Sequence, residues 1–217
     1  MKAVLMDYTG TIIRQAGPEI EEMIYRVTKS TDFHSVREAM KYWFQNLNEL
    51  EWKCSGENYE DEDALCLRLL ELCKKEHGLQ EDHEALHRLN QGLWRNAPLY
   101  DDVPYFFDNC KLPIYVITNN SKWYVSENLR NKGIRPAEII SADDVKSYKP
   151  HPEIFLYALR RAGLSSEEVM HVGDSYYSDV LGAKNAGIAA ILVDRDGKDA
   201  HEDCQKASSL SDILKWL

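Results

Sequence analysis

Asp7, Thr118, Lys149 and Asp174 are the side chains whose local context best suits them to chemistry. Asp7 follows the short apolar run Ala3-Val4-Leu5-Met6 and precedes the turn Tyr8-Thr9-Gly10-Thr11. A carboxylate there can attack phosphorus or carbon to form a covalent intermediate. It can also hold Mg²⁺, a hard ion that prefers oxygen. Alone, the segment reads equally well as a strand ending in an ordinary aspartate turn. Ile117-Thr118-Asn119-Asn120 brings a hydroxyl and backbone N–H groups together. These are donors suited to a phosphoryl oxygen, and Asn120 or Ser121 can at the same time cap the next helix. Lys149 stands before Pro150-His151-Pro152. Loop lysines are normally solvated, but the prolines stiffen the approach, and a positioned ammonium would neutralise nucleophile and phosphate together. In Gly173-Asp174-Ser175-Tyr176-Tyr177-Ser178-Asp179, two carboxylates flank a turn. One can ligate a metal directly while the other orients it or a bound water. Ser178 or Asp179 can equally cap a helix, whereas a buried Asp174 would need a partner.

These residues need elements to hold them. Ala3–Met6, Pro113–Thr118, Ala137–Ile140, Val169–Val172 and Ile188–Val193 are short apolar or β-branched runs and read as strands. Trp123–Lys132, Glu153–Ala162 and Ser178–Ala186 read as helices, each followed directly by a glycine. Alternating strands and helices predict a parallel sheet with helices on both faces. Ligands then sit outside the carboxyl ends of the strands, where Asp7, Thr118 and Gly173-Asp174 converge. Glu19–Trp94 has a different texture. Its apolar residues recur at helical spacing in four stripes, the clearest being Val36, Ala39, Met40, Trp43, Phe44, Leu47 and Leu50. The expected organisation is an α/β, Rossmann-like core of residues 1–13 and 97–217, with an all-helical insert at 14–96.

Composition narrows the classes. The chain has 217 residues, 44% hydrophobic and 29% charged, with a net charge of −10. That acidity disfavours general nucleic-acid binding. No apolar run approaches the ~20 residues of a membrane span, and the N-terminal run is too short for a secretory signal. Five cysteines without a C-x-x-C pattern support neither a zinc knuckle nor a disulfide framework. The expectation is a cytoplasmic protein, a monomer or weak homodimer, with no nucleic-acid or membrane partner.

Asp7-x-x-Gly10-Thr11, Thr118, Lys149-Pro150 and Gly173-Asp174-Ser175-x-x-x-Asp179, in that order, resemble the motifs of the haloacid dehalogenase (HAD) superfamily. Ala142-Asp143-Asp144-Val145 and Gly182-Ala183-x-x-Ala186-Gly187 add to the resemblance. It extends over nearly the whole chain and implies that the helical insert is a mobile cap. It further implies that Asp7 is the nucleophile and a Mg²⁺ ligand, and that the backbone carbonyl of Thr9 binds the same ion. By the same resemblance Asp174 binds the metal and Asp179 belongs to its site. Thr118, with Asn119, binds the transferred phosphoryl group, and Lys149 stabilises its charge. The implied activity is hydrolysis of a small phosphorylated metabolite through an aspartyl-phosphate.

One position departs from that pattern. Phosphatases of the superfamily usually carry a second aspartate two residues after the nucleophile as general acid and base. Here that residue is Thr9, whose hydroxyl is a poor acid or base near neutral pH. Cation-pumping ATPases of the superfamily share the threonine; dehalogenases have tyrosine and phosphonoacetaldehyde hydrolases alanine. A dehalogenase-like or phosphonatase-like C–X hydrolase, the latter needing a cap lysine such as Lys41 or Lys53, is therefore weighed beside phosphatase. So is a low-turnover binding or regulatory protein. If the missing acid is supplied elsewhere, the sequence offers His77, His87 and Tyr176.

Overall fold

The computed structural model describes residues 1–217. Six strands form one parallel sheet: β1 (Ala3–Met6), β2 (Ile114–Thr118), β3 (Glu138–Ser141), β4 (Val169–Gly173), β5 (Ala189–Val193) and β6 (Gln205–Ala207). Their order is β3-β2-β1-β4-β5-β6. The fold is thus α/β and Rossmann-like. β1 is central, and every residue in it is buried, as a strand covered on both faces must be. Alternation sends Val4 and Met6 to one face and Ala3 and Leu5 to the other. Val4 and Met6 join a core with Phe106 of α5 (Val103–Asn109), Leu129 of α6 (Lys122–Asn131) and Ile213 of α10 (Leu210–Ile213). Ala3 and Leu5 pack with Phe155 of α8 (Pro152–Ala162) and Ala183 of α9 (Gly182–Asn185). A short helix, α7 (Ala142–Val145), follows β3 directly.

Met6 is in register with Val116 of β2 and Val172 of β4. The tips of these three strands therefore lie side by side, at the point where the strand order reverses.

The chain leaves the sheet after β1 and returns before β2. Ile13 bridges Leu99, Arg14 N–H donates to the Pro98 carbonyl at 2.8 Å, and Tyr100 N–H to the Ile12 carbonyl at 3.0 Å. Between these pinned ends lie four helices, α1 (Pro18–Lys29), α2 (Val36–Lys53), α3 (Glu62–His77) and α4 (His83–Asn96). Ser35, Asp61 and Asp82 cap the last three by accepting a backbone N–H from the first turn. Met23, Val27, Leu70, Leu86 and Trp94 form the insert's own core, joined by Tyr124 of α6.

Three details differ from the sequence expectation. α5 begins at Val103-Pro104 and is not among the helices read from the sequence; proline is tolerated in a helix's first turn. β6 carries the polar residues Gln205 and Lys206 on the sheet edge, and so lacks the apolar run that reveals a buried strand. The helix expected over Ser178–Ala186 starts as a π-helical turn, Tyr176–Leu181, before α9. The Asp179 and Val180 N–H groups both donate to the Ser175 carbonyl, at 2.9 and 3.2 Å. Such π turns are frequent at functional sites.

Candidate active site

Asp7, Thr118, Lys149, Asp174 and Asp179 come together at the tips of β1, β2 and β4. Glycine makes the approach feasible. Gly10 has φ +91°, and a Cβ there would lie 2.1 Å from Asp174 Oδ2. A Cβ on Gly173 would lie 2.2 Å from Asp179 Cγ. Thr11 Oγ1 donates to Asp174 Oδ1 at 3.3 Å.

Lys149 is 2% exposed, and its Nζ donates to both Asp7 Oδ1 and Asp179 Oδ1 at 2.6 Å. Burial pulls the ammonium pKa down, but Asp179 and Asp7 outweigh it and the net shift is upward. Lys149 therefore stays charged. Asn119 fixes it from the main chain: Lys149 N–H donates to Asn119 Oδ1 at 2.7 Å, and Asn119 Nδ2 to the Lys149 carbonyl at 3.2 Å. The Asn119 side chain, expected to bind phosphate, is thus committed to positioning Lys149.

Asp179 receives a third contact, with His171 Nε2 2.9 Å from its Oδ1, while Ser175 N–H donates to Oδ2 at 3.0 Å. Burial alone would raise its pKa; Lys149 and His171 reverse that and hold it well below the usual carboxylate range. Asp179 is a permanent anion that anchors the lysine. His171, buried in β4, escaped the sequence reading because histidine in an apolar strand carries no motif.

The metal expectation can be tested on the donor set. Carboxylate oxygens of Asp7, Asp174 and Asp179 lie within 4.8 Å of one another. Asp7 Oδ2 is buried without a hydrogen-bond partner, which is costly unless something positive meets it. Asp174 lines the cavity, and its pKa is pushed well up by desolvation and then by Asp7 and Asp179. An all-oxygen, anionic, under-compensated cluster fits a hard divalent cation.

Thr9 does not point freely into the site. Its Oγ1 donates to Asn120 Oδ1 at 2.6 Å, and Thr118 Oγ1 donates to the same oxygen at 3.1 Å. Asn120 Nδ2 in turn donates to Glu62 Oε1, and Ser121 N–H donates to Glu62 Oε2 at 2.6 Å. Glu62 belongs to α3, so Thr9 and Thr118 are tied through Asn120 to the helical insert.

A cavity of about 340 Å³ opens from this cluster into the insert. Two carboxyl groups missed by the sequence reading, Glu51 of α2 and Glu62 of α3, line it. Burial raises Glu51 to about 8, against the pull of Asn119 and Lys149. A signal was available. Glu51 lies four residues beyond Leu47 and eight beyond Trp43, so an acid continues an apolar stripe; Glu62 likewise precedes Leu65 and Cys66 at helical spacing. The alternative acids proposed from sequence are elsewhere. His77 pairs with Asp32 at 2.7 Å, His87 with Asp63 at 2.8 Å, and Tyr176 donates to Asp203 at 2.8 Å. None of the three lines the cavity, and neither do Lys41 and Lys53.

Comparison with known proteins gives the family and the fold. A model described as haloacid dehalogenase-like hydrolase matches residues 1–187. Glyceraldehyde 3-phosphate phosphatase of Methanothermobacter thermautotrophicus is 42% identical over 66 residues, 30% of this chain and 29% of the relative. Phosphoserine phosphatase of Thermus thermophilus is 32% identical over 106 residues, 46% of this chain and 43% of the relative. The matches therefore span less than half of each relative's length. L-2-haloacid dehalogenase of Xanthobacter autotrophicus superposes with a TM-score of 0.80 at 19% identity, over 99% of this chain and 97% of the other. That likeness is one of fold.

Proposed function

The chain belongs to the haloacid dehalogenase-like hydrolase family, and from that premise we propose that it is a Mg²⁺-dependent phosphatase acting on a small phosphate monoester. The observation that carries this reading is Lys149 held between Asp7 and Asp179 while Asp7 Oδ2 stays unpartnered and Asp174 accepts only the Thr11 hydroxyl. Asp7 attacks phosphorus, the bond to the leaving oxygen breaks, and an aspartyl-phosphate results. Lys149 stabilises charge on the phosphoryl oxygens, and the Thr118 hydroxyl joins it by turning away from Asn120 Oδ1. Asp7, Asp174 and the Thr9 carbonyl would hold Mg²⁺, with Asp179 supporting the site. When bound, the ion neutralises the carboxylates and polarises the phosphoryl group. Residues 14–96 act as the cap.

Thr9 cannot supply the proton for the leaving alkoxide. Glu51 faces the same cavity and is protonated at neutral pH, so it serves as the acid and then accepts the proton of the attacking water. Two related activities fit less well. A dehalogenase must bind the carboxylate of its haloacid, yet Lys149 is the only cationic side chain lining the cavity. A phosphonatase needs a cap lysine, and none lines it. No helix is long and apolar enough to cross a membrane, and the relatives named as phosphatases favour a small phosphorylated substrate.

The test is phosphate release from a panel of monoesters with and without Mg²⁺, beside halide release from 2-haloacids. Metal-dependent phosphate release is expected. Halide release without metal, or no turnover with any ester, would replace this reading with the dehalogenase or the binding-protein one.

A further inference from the structure

The cap end of the cavity is unusual for an enzyme whose substrate is ionic. α2 runs for 18 residues, yet Ala39 is the only one buried. Its stripe of Met40, Trp43, Phe44 and Leu47 is only partly buried and lines the cavity. By contrast, α3 buries Leu65, Cys66, Leu69, Leu70 and Cys73. Trp43 also packs against the insert's core, but an apolar helix face left partly open inside the molecule forfeits burial free energy that an apolar ligand would recover. Ile20 and Ile24 of α1 continue the same wall.

Charge points the same way. Lys149 is the only cation lining the cavity, and it is already shared by Asp7 and Asp179. The other ionisable groups there are Glu51, Glu62 and Asp174. They can hydrogen-bond a ligand, but they cannot neutralise a second carboxylate or phosphate. A ligand carrying one would be buried beside carboxyl groups without compensation. Within the insert, the neutral Gln15, Asn48 and Asn90 supply the remaining polarity.

We propose that the substrate is the phosphate monoester of an apolar, uncharged alcohol or phenol, with its hydrocarbon part seated against the open face of α2. This deepens the phosphatase reading and rests on it. The phosphate meets Lys149 and Thr118 at the strand tips, and the organic group extends into the cap. The volume of about 340 Å³ is near the lower end of the ~300–1,000 Å³ of small-molecule sites. It suits a single ring or a short chain.

The experiment measures kcat/KM with Mg²⁺ for methyl, propyl and hexyl phosphate, and for 6-phosphooxyhexanoate, which adds a terminal carboxylate. In parallel, calorimetry measures binding of methylphosphonate and hexylphosphonate, which does not depend on turnover. The expected result is a rise of about 4-fold per methylene until the cavity is filled. The terminal carboxylate should lower kcat/KM by at least ~10-fold, and hexylphosphonate should bind more tightly than methylphosphonate with a negative heat-capacity change. Phe44→Arg should shrink or invert the preference for hexyl phosphate over the carboxylate. Phosphate release that is flat with chain length, or that favours the carboxylate, overturns this inference while leaving the phosphatase reading standing. Equal binding of the two phosphonates also overturns it. No release from any ester overturns both.

Discussion

Asp7 presents one oxygen to Lys149 and leaves the other buried and unpaired, a division that separates its structural from its chemical work. Asp7→Asn keeps the shape but removes the nucleophile. Phosphate release should fall by more than about 10³-fold with an unchanged circular dichroism spectrum; near-normal turnover would remove Asp7 from the mechanism. Glu51 makes a different claim, about pH. In the metal-free protein its carboxyl is held at about 8 from an ordinary 4.5. Between those values the native state keeps a proton that the unfolded chain releases. Its contribution is therefore most favourable below pH 4.5 and is lost as pH rises through 8. Glu51→Gln does not titrate, so the metal-free variant should gain on wild type as pH rises. At pH 8.5 we expect it to be more stable by at least ~1 kcal/mol, or about 2–4 °C in Tm, with the gap closing toward pH 5. A gap independent of pH would mean that Glu51 titrates normally. Activity should fall in the same variant by ~10²-fold or more on alkyl phosphates and by less on aryl phosphates, whose leaving group needs little protonation.

At the scale of elements, the join between α3 and the β2–α6 turn stands out. Glu62 accepts from Asn120 and Ser121, and its neighbour Asp63 accepts from Tyr124 Oη at 2.8 Å. Glu62 stays in place although burial raises its pKa well above the ordinary value, because the Ser121 and Asn120 donors partly offset that cost. Glu62→Ala strips those donors of their acceptor. Amide exchange at Ser121 and in the first turn of α6 should then accelerate at least ~10-fold, while β1 and β4 remain protected. Unchanged exchange at Ser121 would show that the remaining insert–core contacts, such as the hydrogen bond of Tyr148 Oη to the Glu60 carbonyl at 2.8 Å, hold the join without Glu62. The same relay explains Thr9. An aspartate there would face Asn120 Oδ1, acceptor against acceptor, so restoring the family's usual acid would break the Asn120–Glu62 link.

For the whole molecule, the carboxylate cluster links metal to stability. Asp7, Asp174 and Asp179 share one site with a single lysine. A cation that binds only the folded state stabilises it by mass action, about 2.7 kcal/mol at a hundredfold excess over Kd. Mg²⁺ should accordingly raise the Tm of the wild type by several degrees and leave Asp174→Ala unmoved. Equal shifts in both would place the ion elsewhere. Chelation should return the wild type to its metal-free Tm.

Local pattern made much of this legible in the sequence. Apolar β-branched runs ending in Asp7, Thr118 and Gly173-Asp174 announced a parallel sheet with its chemistry at one edge, because a strand covered on both faces must be apolar to its tip. The stripes of residues 19–94 announced helices, because burial of one face imposes the helical period. What the period does not specify is what each face meets. The stripe Met40, Trp43, Phe44 and Leu47 reads as core, yet it lines a cavity. Glu51 and Glu62 belong to no motif, yet they line the cavity. Asn119 reads as a phosphate ligand, yet it clamps the Lys149 backbone. The His171–Asp179–Lys149–Asp7 chain joins residues up to 172 positions apart in the sequence. Sequence carries periodicity and local turn chemistry. Which distant side chains share a partner, and which apolar face is left open, is decided only when the insert folds back over the strand tips.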